Sequence, residues 1–356
     1  MSLVVTLGEI MARLATPGFQ RFAQAMPGKL DVTFAGAEAS IAVAIAQLGG
    51  QSAFVSALPR NPLADACLAN LRGLGVDTRH VLRTEEGRLG LYFLEHGVNQ
   101  RPAEVLYDRE GSAMAVTPAE AYDWSAIFKG ASWLVISGIT PAISQRAAEV
   151  TRQAVQQAAQ LGVKVALDIN YRSKLWRWKP GQTPRELAMQ TLRPLLPQLH
   201  LLIGGAEDVA TLLEVANPGN GPEDLEALAR ESCRRLPNLR WLAMTRRESQ
   251  GAGRQRFGGF LHDSEAGRSH FAPVHDGKPA LHDLDQIVDR LGAGDAFSAA
   301  LILAMQDAEL DQAQRAVAFA TAAGCLAHSL EGDYLLANRA EVLALMQGDN
   351  GGRVKR

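Results

Sequence analysis

The sequence is poor in cysteine and carries almost no net charge. Its three cysteines, Cys67, Cys233 and Cys325, lie far apart and show none of the spacings of a metal site. We therefore expect reduced core thiols, as in cytoplasmic proteins. Lys and Arg number 36 and Asp and Glu number 38, so the formal net charge is −2. Such a charge gives no general attraction to nucleic acid or to an anionic membrane surface.

Long apolar runs and several familiar motifs are also missing. No uninterrupted apolar run reaches the roughly 18 residues of a membrane span, and the first residues read as a short strand rather than a signal peptide. The sequence has no Gly-x-x-x-x-Gly-Lys-Ser/Thr phosphate loop, no His-Arg-Asp loop and no Gly-x-Gly-x-x-Gly after its first strand. We expect a cytoplasmic globular enzyme without a membrane partner.

Short apolar runs alternate with helical patterns along most of the chain, of which 47% is hydrophobic. This alternation predicts an α/β fold with a mostly parallel sheet covered by helices on both faces. The predicted strands are Leu3–Leu7, Ser52–Ala57, Trp133–Ile136, Lys164–Leu167, Leu199–Ile203 and Trp241–Met244. The predicted helices are Ser40–Leu48, Leu63–Leu74, Ser144–Leu161, Leu225–Arg235, Ala296–Met305 and Ala313–Ala327.

Two segments, residues 13–34 and 88–108, interrupt this alternation. The first has no helical period, and the second reads as a hairpin. Long loops without a function are uncommon, so we expect a small separate β-sheet that covers a ligand cleft; plain long loops are the alternative. Residues 1–346 would then form a single domain with these two lid segments, followed by a disordered tail at 348–356. The polar, glycine-rich stretch 251–285 gives no clear secondary structure.

The most informative string is DRLGAGDAFS at residues 289–298, which an apolar helical pattern follows. Glycines let a backbone approach a ligand closely, and N–H groups at a helix N-terminus attract an anion. The backbone of Gly292, Ala293 and Gly294 is therefore a candidate site for a phosphoryl group. A carboxylate beside phosphate oxygens makes sense mainly as a base for an attacking hydroxyl, which would be the role of Asp295. An ordinary capped helix is the alternative.

Two further strings lead out of predicted strands or into helices. Residues 34–40, FAGAEAS, precede a helix whose first N–H groups could receive sugar hydroxyls; close helix–strand packing is the alternative. Residues 167–176 follow a predicted strand and contain Arg172, whose guanidinium suits a carboxylate or a phosphate. A surface arginine paired with an acid is the alternative.

The predicted hairpin offers a third group of side chains. Tyr92 and Tyr107 would present flat faces with hydroxyl groups, and Arg109 would add a second guanidinium. Ordinary cross-strand packing is the alternative. Four histidines match no zinc spacing, and we interpret them as loop histidines of the polar stretch: His262, His270, His275 and His282.

Taken together, these strings resemble the ribokinase-like PfkB family of carbohydrate kinases, and within it most of all the 2-keto-3-deoxygluconate kinases. The matching strings run in order between Leu3 and about Met346 and cover nearly the whole chain. They are GAEASIAVAIAQLG (36–49), YDREGSA (107–113), VISGITPA (135–142), DINYR (168–172), GAGD (292–295) and LEGD (330–333).

The resemblance implies an α/β sandwich with a small β-sheet lid, ATP with a divalent cation such as Mg²⁺, and transfer of the γ-phosphate to the C6 hydroxyl of a sugar acid. It implies that Asp295 is the base and that the amides of Gly292, Ala293 and Gly294 form the anion hole. Substrate contacts would come from Gly36, Glu38, Ser40, Tyr92, Tyr107, Arg109, Arg172 and Asp333. Nucleotide contacts would come from Gly205, Thr245, Arg246, Gly251 and Thr321.

The sequence departs from the family pattern at three of these positions. Gly205 replaces the asparagine of an Asn-x-x-Glu string linked to metal and phosphate binding, although Asp208 keeps an acid at its last position. Asp208 is therefore the candidate metal ligand, directly or through water. Ser40 and Thr321 also stand where relatives often have asparagine.

Two other functions remain open at this point. The acceptor could be another hexose or keto sugar, such as fructose or 5-keto-2-deoxygluconate. The chain could instead be a non-catalytic sensor of sugar or nucleotide with the same fold. The glycine at position 205, where relatives have asparagine, would be consistent with that function. Apolar strands at the edge of a lid often seek a partner, so we expect a homo-oligomer, with a dimer favoured.

Overall fold

The computed structural model describes residues 2–216 and 219–349, and these residues form sixteen strands and twelve α-helices. The strands are β1 (Leu3–Leu7), β2 (Met11–Ala15), β3 (Asp31–Ala35), β4 (Ser52–Pro59), β5 (Val81–Thr84), β6 (Gly90–Glu95), β7 (Glu104–Asp108), β8 (Ala131–Ser137), β9 (Lys164–Asp168), β10 (Leu199–Gly204), β11 (Trp241–Gly251), β12 (Arg254–Asp263), β13 (Arg268–Ala272), β14 (Val274–His275), β15 (Lys278–Pro279) and β16 (His282–Asp285). The helices are α1 (Phe22–Ala25), α2 (Ala37–Gln47), α3 (Pro62–Gly73), α4 (Ala113–Val116), α5 (Trp124–Ile127), α6 (Gln145–Gln160), α7 (Pro184–Leu192), α8 (Ala206–Leu213), α9 (Pro222–Arg235), α10 (Ala293–Ala304), α11 (Ala313–Ala327) and α12 (Arg339–Met346).

A large central sheet organises the molecule, in the strand order β13-β12-β11-β10-β9-β8-β1-β4-β5. The strands from β11 to β5 pair in parallel. At the other edge β12 pairs antiparallel with β11, β13 and β16. The predicted mostly parallel sheet is therefore confirmed.

Both faces of this sheet are buried, as a parallel sheet requires. Successive residues of β1 point to opposite faces, so Val4 joins one apolar cluster and Val5 joins another. The cluster that contains Val4 includes residues of α2, α10 and α11. The cluster that contains Val5 includes residues of α6, α7 and α9. The predicted helix layers on both faces are confirmed.

The two interrupting segments build a separate four-stranded sheet in the order β3-β2-β6-β7, here called the small sheet. Alternate rows of its side chains face opposite ways. One row, in register across the strands, is Thr33, Arg13, Tyr92 and Tyr107. The next row is Val32, Leu14, Phe93 and Leu106. The prediction of a small separate sheet is confirmed.

The hairpin of the small sheet reaches the edge of the central sheet. The backbone N–H of Ala252, in the turn between β11 and β12, donates to the carbonyl of Asn99 at 2.7 Å. Asn99 lies in the loop between β6 and β7, so one main-chain hydrogen bond joins the hairpin tip to the central sheet.

Residues 251–285 contain strands that the sequence did not reveal. This stretch supplies β12, β13 and β16, which extend the central sheet by antiparallel pairing. The four histidines between residues 262 and 282 consequently lie on strands, and their interpretation as loop residues is wrong. Arginine, histidine and aspartate residues interrupt the apolar pattern of these strands, so no continuous apolar run marks them in the sequence.

The C-terminal segment was predicted to be disordered from residue 348. Gly348 and Asp349 donate backbone hydrogen bonds to Leu345 and Ala344 at the end of α12, and residues 350–356 lie outside the described residues. Among the described residues, no helix is both long and apolar enough to cross a membrane.

Candidate active site

A cleft of about 480 Å³ lies between the small sheet and the carboxyl ends of central strands β9, β10 and β11. In an open α/β sheet this edge is the usual place for a ligand. Most of the site residues expected from the sequence line this one cleft: Gly36, Tyr92, Tyr107, Arg109, Arg172, Gly205, Asp208, Thr245, Arg246, Gly292, Gly294, Asp295 and Asp333.

The cleft contains the N-terminus of α10, a twelve-residue apolar helix. Gly292 precedes the helix with φ 77°, in the left-handed region that favours glycine. It also lies so close to a neighbouring loop that a Cβ atom there would stand 2.1 Å from the carbonyl oxygen of Asp333. The first N–H groups of a helix have no partner within the helix, so this end of α10 can receive an anion.

Asp295 occupies the first turn of α10 and is only 9% exposed. Burial raises the pKa of its carboxyl well above the usual value, and the nearby carboxylates of Asp168 and Asp333 raise it further. Arg172 acts in the opposite direction. A carboxylate with a raised pKa at a helix N-terminus is a stronger base than an ordinary aspartate, which suits proton removal from a hydroxyl.

Asp168 is a buried carboxylate that the site prediction omitted. It ends β9, lines the cleft, and accepts a hydrogen bond from the hydroxyl of Ser298 at 3.2 Å. Burial raises its pKa to about 6, although Arg172 lowers it. An acid directly after a buried strand is a usable sequence signal, and residues 167–176 were singled out only for Arg172.

The small sheet contributes a hydroxyl and a carboxylate to the opposite wall. Tyr92 donates to Oδ1 of Asp333 at 2.7 Å. Burial raises the pKa of Asp333, while Arg13 and Tyr92 lower it. The ring of Tyr107 lies beside that of Tyr92, with centroids 6.3 Å apart. These groups can offer donors, acceptors and a flat apolar face to a sugar.

Arg109 lies in the wall of the cleft but is not a free cation. It is buried and forms an ion pair through Nε with Oε2 of Glu9, which is also buried. Its Nη1 has no hydrogen-bond partner among the described residues. Glu9 was not predicted from the sequence, because nothing near residue 9 points to a partner a hundred positions away.

Glu38 and Ser40 lie on α2, behind the cleft rather than in its lining. Oε1 of Glu38 accepts hydrogen bonds from the hydroxyls of Ser137 at 2.7 Å and Thr140 at 2.9 Å. Burial raises the pKa of Glu38, and these hydrogen bonds lower it. Glu38 and Ser40 are each 1% exposed, so a direct contact with a ligand would need movement of the residues above them.

The opposite end of the cleft is the candidate nucleotide site. Gly205 and Asp208 line it at the start of α8, and Thr245 and Arg246 line it on β11. Arg247 follows them and was missed by the sequence reasoning. Its Nη2 lies 3.3 Å from the position of a Cβ atom at Gly294, so this exposed cation stands beside the N-terminus of α10.

Three further expected residues, besides Glu38 and Ser40, do not line the cleft. Ala293 is fully buried at the start of α10, and Gly251 lines a second cavity of about 320 Å³ under the hairpin tip. Thr321 is buried in α11, where its hydroxyl donates to the carbonyl of Val317 at 2.7 Å. A helix hydroxyl bonded in this way has used its donor within the helix and retains only its acceptor lone pairs.

No group of three or more metal-ligating side chains occurs within residues 2–216 and 219–349. Mg²⁺ nevertheless often binds through one or two carboxylates together with substrate phosphates and water. Asp208 and its neighbour Glu207 both line the cleft, and burial raises the pKa of Asp208. Two hard oxygen donors beside a phosphate-sized space fit a divalent cation bound in this way.

Comparisons with known proteins agree with this geometry. The model of the pfkB family carbohydrate kinases matches residues 1–246. A 2-dehydro-3-deoxygalactonokinase of Haloferax volcanii is 31% identical over 350 residues, which cover 98% of each chain.

Solved structures have the same fold. A 2-dehydro-3-deoxygluconokinase from Thermotoga maritima is 36% identical, with a TM-score of 0.88 over 97% of this chain and 98% of that chain. A protein from E. coli named as a candidate ribokinase II, in complex with ATP and Mg²⁺, is 21% identical with a TM-score of 0.75 over 98% of this chain and 99% of that chain. At that identity it shows the fold alone. The expected ribokinase-like α/β fold is confirmed, and the chain belongs to the PfkB family of carbohydrate kinases.

Proposed function

We propose that this protein transfers the γ-phosphate of ATP to the C6 hydroxyl of 2-keto-3-deoxygluconate and gives 2-keto-3-deoxy-6-phosphogluconate. The observation that carries the proposal is the position of Asp295. Its carboxylate is buried at the N-terminus of α10, in the same cleft as Arg109, Arg172 and the tyrosines of the small sheet. A base, an anion site and cations for a sugar carboxylate thus share one space.

In the proposed reaction Asp295 takes the proton of the C6 hydroxyl as that oxygen bonds to the γ-phosphorus. The bond from this phosphorus to the β,γ-bridging oxygen breaks, and ADP leaves. A positioned base typically contributes about 10²–10⁴-fold in rate. The amides of Gly292, Ala293 and Gly294 would meet the charge on the transferring group, and each such donor can contribute about 3–4 kcal/mol.

The two arginines expected to contact the substrate differ in their availability to a sugar carboxylate. Arg109 is already paired with Glu9 in a buried site. Arg172 is exposed on the rim and donates to the carbonyl of its neighbour Tyr171 at 3.1 Å. We therefore assign the main carboxylate contact to Arg172, while Arg109 would offer its unpaired Nη1 to a carbonyl or hydroxyl oxygen.

A second acceptor, 2-keto-3-deoxygalactonate, has a specific observation in its favour. The Haloferax volcanii relative, which matches almost the full length of the chain, is named for that sugar acid. The two acceptors differ only in the configuration of one hydroxyl at C4. Both keep the carboxylate and the C6 hydroxyl, so the same base and the same arginine would serve either.

ATP and Mg²⁺ complete the proposal. Gly205, Thr245 and Arg246 would contact the nucleotide, with Arg247 near its phosphates, and Asp208 with Glu207 would hold the cation. When bound, the cation would neutralise phosphate charge and help orient the γ-phosphate. The small sheet would exclude water, which would otherwise consume ATP.

We also propose that the protein forms a homodimer through the small sheet. Val32 and Leu106 lie on its two edge strands and are each 61% exposed. They share one row with Leu14 and Phe93. An exposed apolar row across one face of a sheet tends to seek a partner, and a second copy of the same sheet is self-complementary under twofold symmetry.

The decisive experiment is release of ADP from ATP with a panel of acceptors: 2-keto-3-deoxygluconate, 2-keto-3-deoxygalactonate, 5-keto-2-deoxygluconate, fructose and ribose. We expect the highest kcat/KM with the first or second compound, and product phosphorylated at C6. Faster turnover of fructose or ribose would reject the sugar-acid assignment. Tight binding of sugar and ATP without ADP release would indicate a sensor instead.

A further inference from the structure

One buried arginine outside the expected site joins the small sheet to the loop that leads into α10 and to Asp333. Arg13 lies on β2 and is 2% exposed. Its Nη2 contacts Oδ2 of Asp289 at 2.5 Å, and its Nη1 contacts Oδ1 of Asp333 at 2.7 Å. One guanidinium therefore bridges two carboxylates from two separate parts of the chain.

Asp289 in turn holds both of those parts together. Its Oδ1 accepts the backbone N–H of Leu291 at 3.1 Å, and its Oδ2 accepts that of Gly332 at 3.3 Å. Leu291 leads into the N-terminus of α10, and Gly332 precedes Asp333. Arg13 thus binds the junction of the two loops rather than a single side chain.

These loops determine where the reacting groups lie. The backbone of Asp333 packs against Gly292 so closely that a Cβ atom would not fit between them. Gly292 begins the helix that carries Asp295. A displacement of the Asp289–Asp333 junction would therefore move the anion hole and the base together.

The same contacts fix the substrate wall. Arg13 and Tyr92 are neighbours across β2 and β6, and both donate to Oδ1 of Asp333. Without the guanidinium, the buried carboxylates of Asp289 and Asp333 would face each other with no cation between them. Repulsion or protonation would then separate them.

We propose that Arg13 is a positioning residue that sets the location of the anion hole and Asp295 relative to the small sheet, and so controls kcat. The inference rests on the proposed kinase activity. A shift of reacting groups by about 1 Å can reduce turnover roughly 100-fold, so Arg13 should affect turnover even though it does not line the cleft.

The test compares Arg13→Ala, Arg13→Lys and a control, Arg339→Ala, in the full-length protein. Arg339 forms an ion pair with Asp307 at 2.6 Å and does not line the cleft. Wild-type turnover is measured first, because its absence would reject the kinase assignment and not the role of Arg13. For each folded variant, kcat, both KM values and the melting temperature are then measured with and without guanidinium at concentrations too low to denature.

We expect Arg13→Ala to reduce kcat roughly 100-fold, with a much smaller change in the KM for ATP, and added guanidinium to restore part of the loss. The kcat of Arg13→Lys should lie between those of wild type and Arg13→Ala, since an ammonium group cannot bridge both carboxylates as the planar guanidinium does. Arg339→Ala should keep the wild-type kcat and show no response to guanidinium.

A kcat for Arg13→Ala within twofold of wild type would overturn the proposal. So would a loss of kcat that guanidinium does not restore, if Arg13→Lys is impaired to the same degree. If Arg13→Ala does not fold, the Lys variant decides: wild-type kcat and wild-type KM values in it would reject the need for a bridging guanidinium.

Discussion

At the scale of single residues, the buried carboxyl of Asp295 reduces stability when it is ionised, the form that its proposed role as a base requires. Its raised pKa means that the folded protein holds this proton more tightly than the unfolded chain does. Stability is then present when the group is protonated and is lost as the pH rises above the unfolded pKa of about 4. A neutral side chain of the same shape would remove this loss.

We therefore expect Asp295→Asn to be more stable than wild type at neutral pH, by on the order of 1–3 kcal/mol, and to lose about 10²–10⁴-fold in kcat. Thermal unfolding between about pH 3.5 and about pH 8, a range that begins near the pKa of an ordinary aspartate and ends above neutral pH, would measure the first effect. The difference in melting temperature should be small at the acid end and grow toward neutral pH. Asp168 is present in both proteins, but its carboxylate raises the pKa of Asp295, so the difference reports the coupled pair of carboxyls. Wild-type turnover by the variant would remove Asp295 from its role as base.

Arg172 offers a second prediction at this scale. Arg172→Ala should raise the KM for a sugar acid roughly 10- to 100-fold, as loss of a charge-assisted hydrogen bond of about 1.5–3 kcal/mol would do, and should change the KM for neutral sugars little. Arg177, exposed on the same loop and absent from the lining of the cleft, supplies the matched control. Steady-state kinetics with 2-keto-3-deoxygluconate and fructose measures the contrast. An equal rise in KM for both sugars would show that Arg172 does not bind the substrate carboxylate.

The sequence reveals a site residue only when the groups that give it its role lie close to it along the chain. Asp295 and its glycines form a local string whose meaning depends only on a loop entering a helix. Arg13, Glu9 and Arg247 act through groups brought close by packing, such as Asp289, which lies 276 positions from Arg13. No local pattern encodes such a pair, so only the fold exposes it.

At the scale of elements, the start of α10 requires glycine at position 292 for two reasons, its backbone conformation and the lack of space for a side chain. Gly292 has φ 77° and no room for a Cβ atom. Gly267, in the turn between β12 and β13, has φ 62° and open space around it. The two positions therefore separate backbone strain from steric conflict.

Gly267→Ala should cost about 1–2 kcal/mol of stability, the price of a left-handed conformation alone. Gly292→Ala should cost a further 1–3 kcal/mol or so for the displaced loop and should also reduce kcat, because the anion hole moves. Urea denaturation and steady-state kinetics on both variants test this. Full activity in Gly292→Ala would show that the loop tolerates displacement.

The elements themselves were predictable to different degrees. Buried parallel strands such as β8 and β9 are continuous apolar runs, and the sequence predicts them within a residue or two. The strands β12, β13 and β16 carry mixed polar residues at the edge of the sheet, and turns with glycine separate them. Their pairing partners, rather than their own sequence, decide that they are strands.

At the scale of the whole molecule, the small sheet has two different faces. The row with Arg13 and Tyr92 contacts Asp289 and Asp333, and the row with Val32 and Leu106 faces outward. If the outer row forms the dimer, Val32→Lys combined with Leu106→Lys should give a monomer in sedimentation velocity. Leu336→Lys, at an exposed leucine elsewhere on the surface, should leave the mass unchanged. A monomeric wild-type protein would contradict the proposed dimer.

The bond between Ala252 and Asn99 has a consequence for the timing of catalysis. A single main-chain hydrogen bond contributes only about 0.5–1.5 kcal/mol net, which is no more than a few times the thermal energy. Rupture of this bond would therefore cost little free energy, and the hairpin tip would gain freedom relative to the central sheet. In the proposed reaction, sugar entry and product departure beside the hairpin tip would then need no external trigger, and the interval between turnovers would depend on how rapidly this bond breaks.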